Sequence, residues 1–260
     1  MSVRQLAWRW RESVLVRLKG TSAYQAMRQR AKAFVSDPSI RCYGGQFGED
    51  ACLFSYFASQ RYGQTRSLND VGNGFYVDVG AYDPIDISNT RIFYERGWRG
   101  INIDLSSATI EAFQRHRPAD INLHCAVSLV EGELDFFSFG PKSVYNTLDS
   151  SAAENYARRL GVTPCIEKVR AVPLSKLLAD HLPSGAEISF LSVDAEGHDL
   201  PVLQSNDWTR YRPELVVAEL HVDDISEVIR SELMGFMASK GYRLRYWTPP
   251  SVILQRIALP

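Results

Sequence analysis

The feature that most constrains the fold of this chain is a regular alternation of short apolar segments with stretches of helical spacing. This alternation is typical of parallel strands joined by helices, because each crossover must return the chain to the same end of the sheet. We therefore predict an α/β fold with a doubly wound, mostly parallel sheet. The strand-like segments are FYVDVGA (75–81), GINIDL (100–105), INLHCAVS (121–128), LDFFSF (134–139), ISFLSVDAEG (188–197) and ELVVAELH (214–221).

The C-terminal part follows a different pattern. A helical stretch over residues 224–239 leads to YRLRYW (242–247), and VILQRI (252–257) follows after the turn TPPS. Two alternating apolar segments joined by a proline-containing turn predict a β-hairpin. We expect this antiparallel hairpin to close the sheet.

Composition and charge exclude several classes of protein. The 260 residues are 45 % hydrophobic and 23 % charged, which excludes a wholly disordered chain. No apolar run reaches the length of about 20 residues that a membrane-spanning helix needs. Residues 1–36 carry a net charge of +7, which leaves −8 for the rest of a chain whose total is −1. An acidic main domain argues against a nucleic-acid partner.

The basic segment 1–36 is predicted to be an amphipathic helical extension, and residues 37–260 are predicted to form the main domain. Trp8 and Trp10 lie among arginines, a pattern that suits peripheral contact with an anionic membrane. Packing of the helix on the main domain or on a second subunit explains the same pattern and is favoured. A homo-oligomer is therefore plausible, and the oligomeric state stays open.

The same sequence features predict where the protein works. Arginines interrupt the N-terminal segment where a secretory signal needs an apolar stretch. The cysteines are scattered, which predicts free thiols rather than a disulfide framework or a zinc site. We expect a cytoplasmic protein, at the inner face of the membrane if the extension contacts lipid. The cysteines are Cys42, Cys52, Cys125 and Cys165.

The end of the first strand has the character of a nucleotide-binding turn. Asp78 and Gly80 come where the strand ends, and Asp104 ends the next strand, where a carboxylate can accept the hydroxyl protons of a ribose. Tyr82 occupies the place of the second glycine of a dinucleotide motif, which disfavours NAD. S-adenosylmethionine has no phosphate and suits an acidic turn. A simple cap of the strand end is the alternative reading.

Several segments that occur together and in order resemble the FkbM-type methyltransferases. The resemblance covers about residues 46–221 and implies a seven-stranded class I methyltransferase sheet, Rossmann-like, with the hairpin as its last two strands. It also implies S-adenosylmethionine-dependent transfer of methyl groups to hydroxyls, commonly those of sugars in surface polysaccharides or of polyketides. The segments are QFGED (46–50), GFYVDVGAYDP (74–84), SNT (88–90), GWRGINID (97–104), FLSVDAEGH (190–198) and RPELVVAE (212–219).

The candidate donor site combines the first turn with later strand ends. Asp83 adds a second carboxylate to the turn, and Asn89 lies next to it in the sequence. One departure from the family pattern concerns Asp199, where related sequences carry glutamate, and its role stays open. The candidate donor-binding residues are Asp78, Gly80, Asp83, Asn89, Asp104, Ser128 and Asp194.

Two mechanisms fit the residues that follow the later strands. A sugar hydroxyl is a weak nucleophile, so it needs a general base or a metal ion. In the first mechanism, which is favoured, His198 or His221 takes the hydroxyl proton. In the second, Mg²⁺ or Mn²⁺ relieves the repulsion among clustered carboxylates. The candidate catalytic residues are Asp194, Glu196, His198 and His221, and the candidate metal ligands are Asp194, Glu196, Glu219 and His221.

The acceptor is the least constrained part of the prediction. Tyr145 and Asn146 can stack on and hydrogen-bond a sugar, or they can form a turn over the core. We expect a glycan or another polyhydroxylated small molecule as acceptor. Two other functions stay open, namely a catalytically silent glycan-binding protein on the same fold and an NAD-dependent oxidoreductase.

Overall fold

The computed structural model describes residues 43–61, 71–140, 143 and 145–257. The predicted extension 1–36 and its boundary at residue 37 therefore lie outside the described residues. The helices are α1 (Glu49–Arg61), α2 (Arg91–Tyr94), α3 (Ser107–His116), α4 (Ser150–Leu160), α5 (Leu174–His181), α6 (Asp199–Gln204), α7 (Ile225–Arg230) and α8 (Glu232–Ser239). The strands are β1 (Phe75–Val79), β2 (Arg99–Asp104), β3 (Ile121–His124), β4 (Ala126–Val127), β5 (Gly132–Ser138), β6 (Cys165–Val172), β7 (Ile188–Val193), β8 (Leu215–Glu219), β9 (Tyr242–Thr248) and β10 (Ser251–Arg256).

Seven strands form the main sheet, in the order β3-β2-β1-β7-β8-β10-β9. The strands β3, β2, β1, β7 and β8 are parallel, whereas β10 is antiparallel to both β8 and β9. The chain runs outward from β1 to β3 and then returns to β7 on the other side of β1. This arrangement confirms the predicted doubly wound sheet and its antiparallel C-terminal hairpin. It also places a reversal of strand order between β1 and β7, where such sheets bind ligands.

The two faces of this sheet explain why its strands are apolar on both sides. Successive residues of a strand point to opposite faces, so both faces need apolar side chains when helices cover both. Val77 and Leu191 pack into one buried cluster, and Tyr76 and Phe190 pack into the other. The second cluster is rich in aromatic rings, with the Phe93 and Phe190 centroids 5.0 Å apart.

A second, smaller sheet in the order β4-β6-β5 was not predicted. The segment 121–128, predicted as one strand, is divided at Cys125 between β3 of the main sheet and β4 of the small one. The sequence pattern also missed β6, because charged residues occupy much of it. Lys168 of β6 pairs with Asp135 of β5 at 2.6 Å on the exposed side of the sheet, whereas Val169 and Ala171 pack with Phe136 in a small buried cluster.

Cys52, Cys125 and Cys165 carry free thiols, as predicted, whereas Cys42 lies outside the described residues. Across the ranges that the structure describes, no helix has both the length and the hydropathy needed to cross a bilayer.

Candidate active site

The turn after β1 is held between the two neighbouring strands. The Gly80 N–H donates to the carbonyl oxygen of Ile103 at 2.9 Å, and the Asp194 N–H donates to that of Val79 at 2.9 Å. Gly80 has φ +75°, and a Cβ at this position would lie 1.8 Å from the Asp194 carbonyl oxygen. Only glycine fits there, since it combines the left-handed conformation with the close approach of another backbone. The glycine thus brings the ends of β1, β2 and β7 together.

Asp104 ends β2 beside this turn. Its Oδ2 accepts from the Tyr82 N–H at 3.0 Å, and its Oδ1 accepts from the Ser106 N–H at 2.8 Å. Burial raises the pKa of Asp104, and the two amide donors oppose that shift by stabilising the anion. Each carboxylate oxygen can accept a further hydrogen bond, which is the requirement for binding a diol.

Asp78 is buried at the end of β1 and borders the same cavity. Its Oδ2 accepts from the Thr90 hydroxyl at 2.8 Å. Burial raises the pKa of Asp78 to about 6, while Thr90 and the Arg117 guanidinium act in the opposite direction. Asn89, the neighbour of Thr90, donates from Nδ2 to the Ser192 hydroxyl at 3.3 Å and also lines the cavity.

Two other donor-site candidates have different surroundings. The Asp83 Oδ1 accepts from the N–H groups of Ile85 and Asp86, at 2.8 and 2.9 Å, so its carboxylate shapes the turn. Ser128 donates its N–H to the Val172 carbonyl oxygen, and the cavity wall beside it is formed by Cys125 and Val127. The structure thus does not bring these two side chains to the cavity with the others.

The cavity lies along the carboxyl edge of the main sheet and is roofed in part by the small sheet. It is a partly open cavity with a volume of about 180 Å³. Its lining contains both apolar and polar side chains. The apolar wall consists of Ile103, Cys125, Val127, Phe136 and Leu148, and the polar wall includes Gln46, Asp78, Asn89, Asp104, Ser192, Asp194, Glu196 and His198.

Asp194 and Glu219 form a hydrogen-bonded pair of carboxyl groups at the ends of β7 and β8. Burial, followed by the neighbouring Asp194 charge, raises the pKa of Glu219 to about 8. Burial also raises the pKa of Asp194, and the hydrogen bond from Glu219 acts in the opposite direction. These shifts favour the arrangement in which a protonated Glu219 donates to the Asp194 carboxylate.

The two candidate histidines occupy different positions around this pair. The His221 Nε2 lies 3.1 Å from the Glu219 Oε2, and its side chain is 68 % exposed. His198 lines the cavity itself, at the N-terminal end of α6. Glu196 also lines the cavity, and burial followed by the Asp194 charge raises its pKa to about 7. The structure thus joins His221 to the cavity through two carboxyl groups, whereas His198 borders it directly.

The metal alternative has less geometric support. Within the described part of the chain, no three His, Cys, Asp or Glu side chains are grouped so that they can hold a metal ion. The predicted set of Asp194, Glu196, Glu219 and His221 is therefore not arranged as a ligand sphere. The hydrogen bond between Asp194 and Glu219 relieves part of the charge repulsion that motivated the metal prediction.

Asp199, whose role the sequence left open, joins the two strand ends. Its Oδ1 accepts from the Glu219 N–H at 2.9 Å, and its Oδ2 accepts from the Ala195 N–H at 3.3 Å. The carboxylate is buried, and burial raises its pKa to about 7. Asp199 therefore links the backbone that follows β7 to the last residue of β8, beside Asp194 and Glu219.

The acceptor candidates belong to the loop between β5 and α4. The Asn146 Oδ1 accepts from the Phe139 N–H at 2.8 Å, and its Nδ2 donates to the Gly140 carbonyl oxygen at 3.1 Å. The Tyr145 ring packs on Tyr156 of α4 with the centroids 5.1 Å apart. Asn146 lines the cavity, but its amide holds the loop together.

Sequence reasoning missed Arg117, which follows α3 and is almost completely buried. Its Nη1 donates to the Thr90 hydroxyl at 2.7 Å, and Thr90 donates in turn to Asp78. An arginine after a helix is usually a solvated C-terminal residue, so no sequence signal marked this one. Its burial depends on the turn that folds over it from residues 84–90.

The raised pKa values predict that the ligand-free protein loses stability as the pH rises. A carboxyl group whose pKa is higher in the folded state than in the unfolded state binds more protons when folded, so its contribution declines as the pH rises toward the folded pKa. The groups concerned are Asp78, with a pKa of about 6, Glu196 and Asp199, with about 7, and Glu219, with about 8.

We expect the free energy of unfolding to fall between about pH 5 and about pH 8.5, and to fall less in Glu219→Gln. Urea unfolding followed by circular dichroism at several pH values measures this dependence. A stability that increases over the same interval would contradict the protonated state of the pair.

The fold and the site together define a class of protein. The strand order, the glycine turn and the acid that ends the second strand are those of a methyltransferase with a Rossmann-like sheet. The family model of the methyltransferase FkbM domain matches residues 78–244. The chain therefore belongs to the FkbM methyltransferase family, which confirms the resemblance seen in the sequence. The comparison with curated proteins gave no match.

Proposed function

We propose that this methyltransferase uses S-adenosylmethionine and transfers the methyl group to a hydroxyl oxygen of a sugar or of another polyhydroxylated metabolite. One observation carries the proposal. The Gly80 turn and the Asp104 carboxylate border the same cavity as the Asp194 carboxylate. A diol-binding acid and a candidate base therefore face one space, as a transfer from a nucleoside donor to a hydroxyl requires.

The residues present fit such a donor. Asp104 has free acceptor capacity for the ribose hydroxyls, and the apolar wall of Val127, Phe136 and Leu148 suits an adenine ring. Tyr82 argues against the NAD alternative, since its N–H donates to Asp104 at the place where a pyrophosphate needs a glycine. When bound, S-adenosylmethionine supplies an electrophilic methyl group. The protein then has to orient the acceptor oxygen and remove its proton.

Asp194 is the residue that we expect to take this proton. It lines the cavity, and its hydrogen bond with Glu219 stabilises it as the anion of the pair. The Glu219 contact with exposed His221 gives the proton a route to solvent. His198 is the alternative base, because it borders the same cavity. In this mechanism His221 acts behind the carboxyl pair rather than on the acceptor.

Calorimetric titration with S-adenosylhomocysteine tests the donor site. We expect the wild-type protein to bind S-adenosylhomocysteine but not NAD, and Asp104→Ala to weaken the binding by roughly 10- to 100-fold, because two charge-assisted hydrogen bonds are lost. Methyl transfer to a panel of oligosaccharides, read as release of S-adenosylhomocysteine, then tests the acceptor class.

Asp207→Ala is the matched control for Asp104→Ala. Asp207 also accepts from a backbone N–H, that of Thr209 at 2.9 Å, but it is exposed and not part of the cavity wall. Its replacement is expected to leave the affinity unchanged. Equal binding by the wild-type protein and Asp104→Ala would remove the donor assignment. A wild-type protein that binds the donor and methylates no glycan would favour the silent glycan-binding alternative.

A further inference from the structure

Three residues other than glycine have a positive φ in the part of the chain that the structure describes, and all three line the same cavity. They are Tyr82 (φ 55°), Ile87 (φ 53°) and Glu196 (φ 48°). A left-handed conformation is most unfavourable for a β-branched residue, so Ile87 is the most strained of them. Strain of this kind persists only where the surrounding structure imposes it, and it concentrates at ligand sites.

Arg117 imposes the conformation of the turn that contains Ile87. Its Nε and Nη2 both donate to the Pro84 carbonyl oxygen, at 3.0 and 2.6 Å, and Nη2 also donates to the Ser88 hydroxyl at 2.8 Å. The Ser88 N–H donates to the Gly44 carbonyl oxygen at 3.0 Å. The turn is thus held on both sides of Ile87, which leaves its backbone no other conformation.

The same guanidinium connects this turn to Asp78. Its Nη1 donates to the Thr90 hydroxyl, which donates in turn to the Asp78 carboxylate. The negative charge of Asp78 compensates the positive charge of the buried Arg117. Lysine cannot replace these contacts, because three of the guanidinium nitrogens donate in different directions at once. A single buried side chain therefore sets the position of both Asp78 and Ile87.

Ile87 is nevertheless 46 % exposed, although it lines the cavity. Its side chain therefore gains little from packing in the ligand-free protein, while its backbone is strained. A ligand in the cavity would bury the exposed apolar surface and recover part of that cost. The turn of residues 84–90 comes soon after β1, and Arg117 supports both this turn and Asp78. The turn therefore belongs to the donor side of the cavity.

We propose that Ile87 is a donor-contact residue that packs against bound S-adenosylmethionine, and that Arg117 is the positioning residue that holds it there. This inference rests on the proposed function. It adds two residues to the donor site that the sequence motif does not contain. It also gives a physical reason for an isoleucine at a position where glycine or asparagine would fit the backbone better.

Ile87→Asn tests the contact, because asparagine tolerates the left-handed backbone and lacks the apolar surface. We expect the Kd for S-adenosylhomocysteine to increase about tenfold, while the Tm stays at or above that of the wild type. The control is Ile166→Asn, since Ile166 is 60 % exposed on β6 and is not part of the cavity wall. Its Kd should not change. An unchanged Kd for Ile87→Asn, or a Tm decrease beyond that of the control, overturns the inference.

Arg117→Lys tests the positioning role. It keeps the charge but loses the fixed geometry of the guanidinium, so we expect a weaker affinity for S-adenosylhomocysteine. If Arg117 acts through Ile87, the double variant Ile87→Asn with Arg117→Lys should bind S-adenosylhomocysteine no more weakly than the weaker-binding of the two single variants. Additive losses of affinity would overturn the positioning role.

The wild-type protein distinguishes failure of this inference from failure of the proposed function. A wild-type protein that does not bind S-adenosylhomocysteine overturns both. Normal wild-type binding with an unchanged Kd for Ile87→Asn overturns the inference alone.

Discussion

Replacing Gly80 with alanine is expected to abolish donor binding and to destabilise the protein by about 3 to 5 kcal/mol. The new Cβ would lie 1.8 Å from the Asp194 carbonyl oxygen, where contacts below 3.0 Å essentially never occur. The obstacle is backbone rather than a mobile side chain, so β1 and β7 must separate. Urea unfolding and titration with S-adenosylhomocysteine measure the two effects.

Gly161→Ala separates the steric effect from the backbone strain. Gly161 has φ +67°, close to the +75° of Gly80, but no atom lies within 4 Å of its hypothetical Cβ. It ends α4, and it is not among the residues of the cavity wall. We expect a loss of about 1 to 2 kcal/mol from strain alone, with unchanged donor affinity. Equal destabilisation by the two substitutions would show that the close approach of Gly80 to Asp194 contributes nothing.

Asp194→Asn is expected to lower the rate of methyl transfer by about 10² to 10⁴-fold, because the amide cannot accept the acceptor's proton. The Kd for S-adenosylhomocysteine should stay within about threefold of the wild-type value, since a residue that acts on the acceptor contributes little to donor binding. The side chains have nearly the same shape, so a fall in rate reports the charge. Single-turnover assays with an oligosaccharide acceptor measure the rate, and calorimetry measures the affinity.

Two further variants decide which residue takes the proton. Asp180→Asn is the control, because Asp180 lies on the exposed side of α5 and pairs with Lys176. It should leave the rate unchanged. His198→Gln tests the other base that borders the cavity. A large loss of rate in His198→Gln with little loss in Asp194→Asn would transfer the role of base from the aspartate to the histidine.

The fold could be predicted because each part of it has a local signature. Apolar runs separated by helical spacing specify strands and crossover helices, and a right-handed crossover leaves few sheet topologies. The small sheet had no such signature. Charged residues occupy much of its strand β6, where Lys168 and Arg170 pair with Asp135 and Glu131. Its buried cluster contains only a few apolar residues, such as Val169 and Ala171, so the strand has the pattern of a loop.

The candidate site could be predicted in part for the same reason. Asp78, Asp104 and Asp194 each lie at or next to the carboxyl end of an apolar strand, so the sequence alone places them at one edge of a parallel sheet. Asp83 also lies near the end of an apolar strand, yet its carboxylate accepts hydrogen bonds from the N–H groups of its own turn. A local motif shows which side chains reach the edge. It does not show which of them remain available for a ligand.

The sequence by itself determined the class of fold, the family and the edge of the sheet that carries the chemistry. These properties follow from local patterns of burial and from turns that only glycine allows. The tertiary structure alone decided that Glu219 forms a hydrogen-bonded pair with Asp194, that Asp199 links the two strand ends, and that buried Arg117 supports the strained Ile87. Each of these depends on residues distant in sequence, because the pKa of a group and the strain of a turn are set by whatever else folds against them.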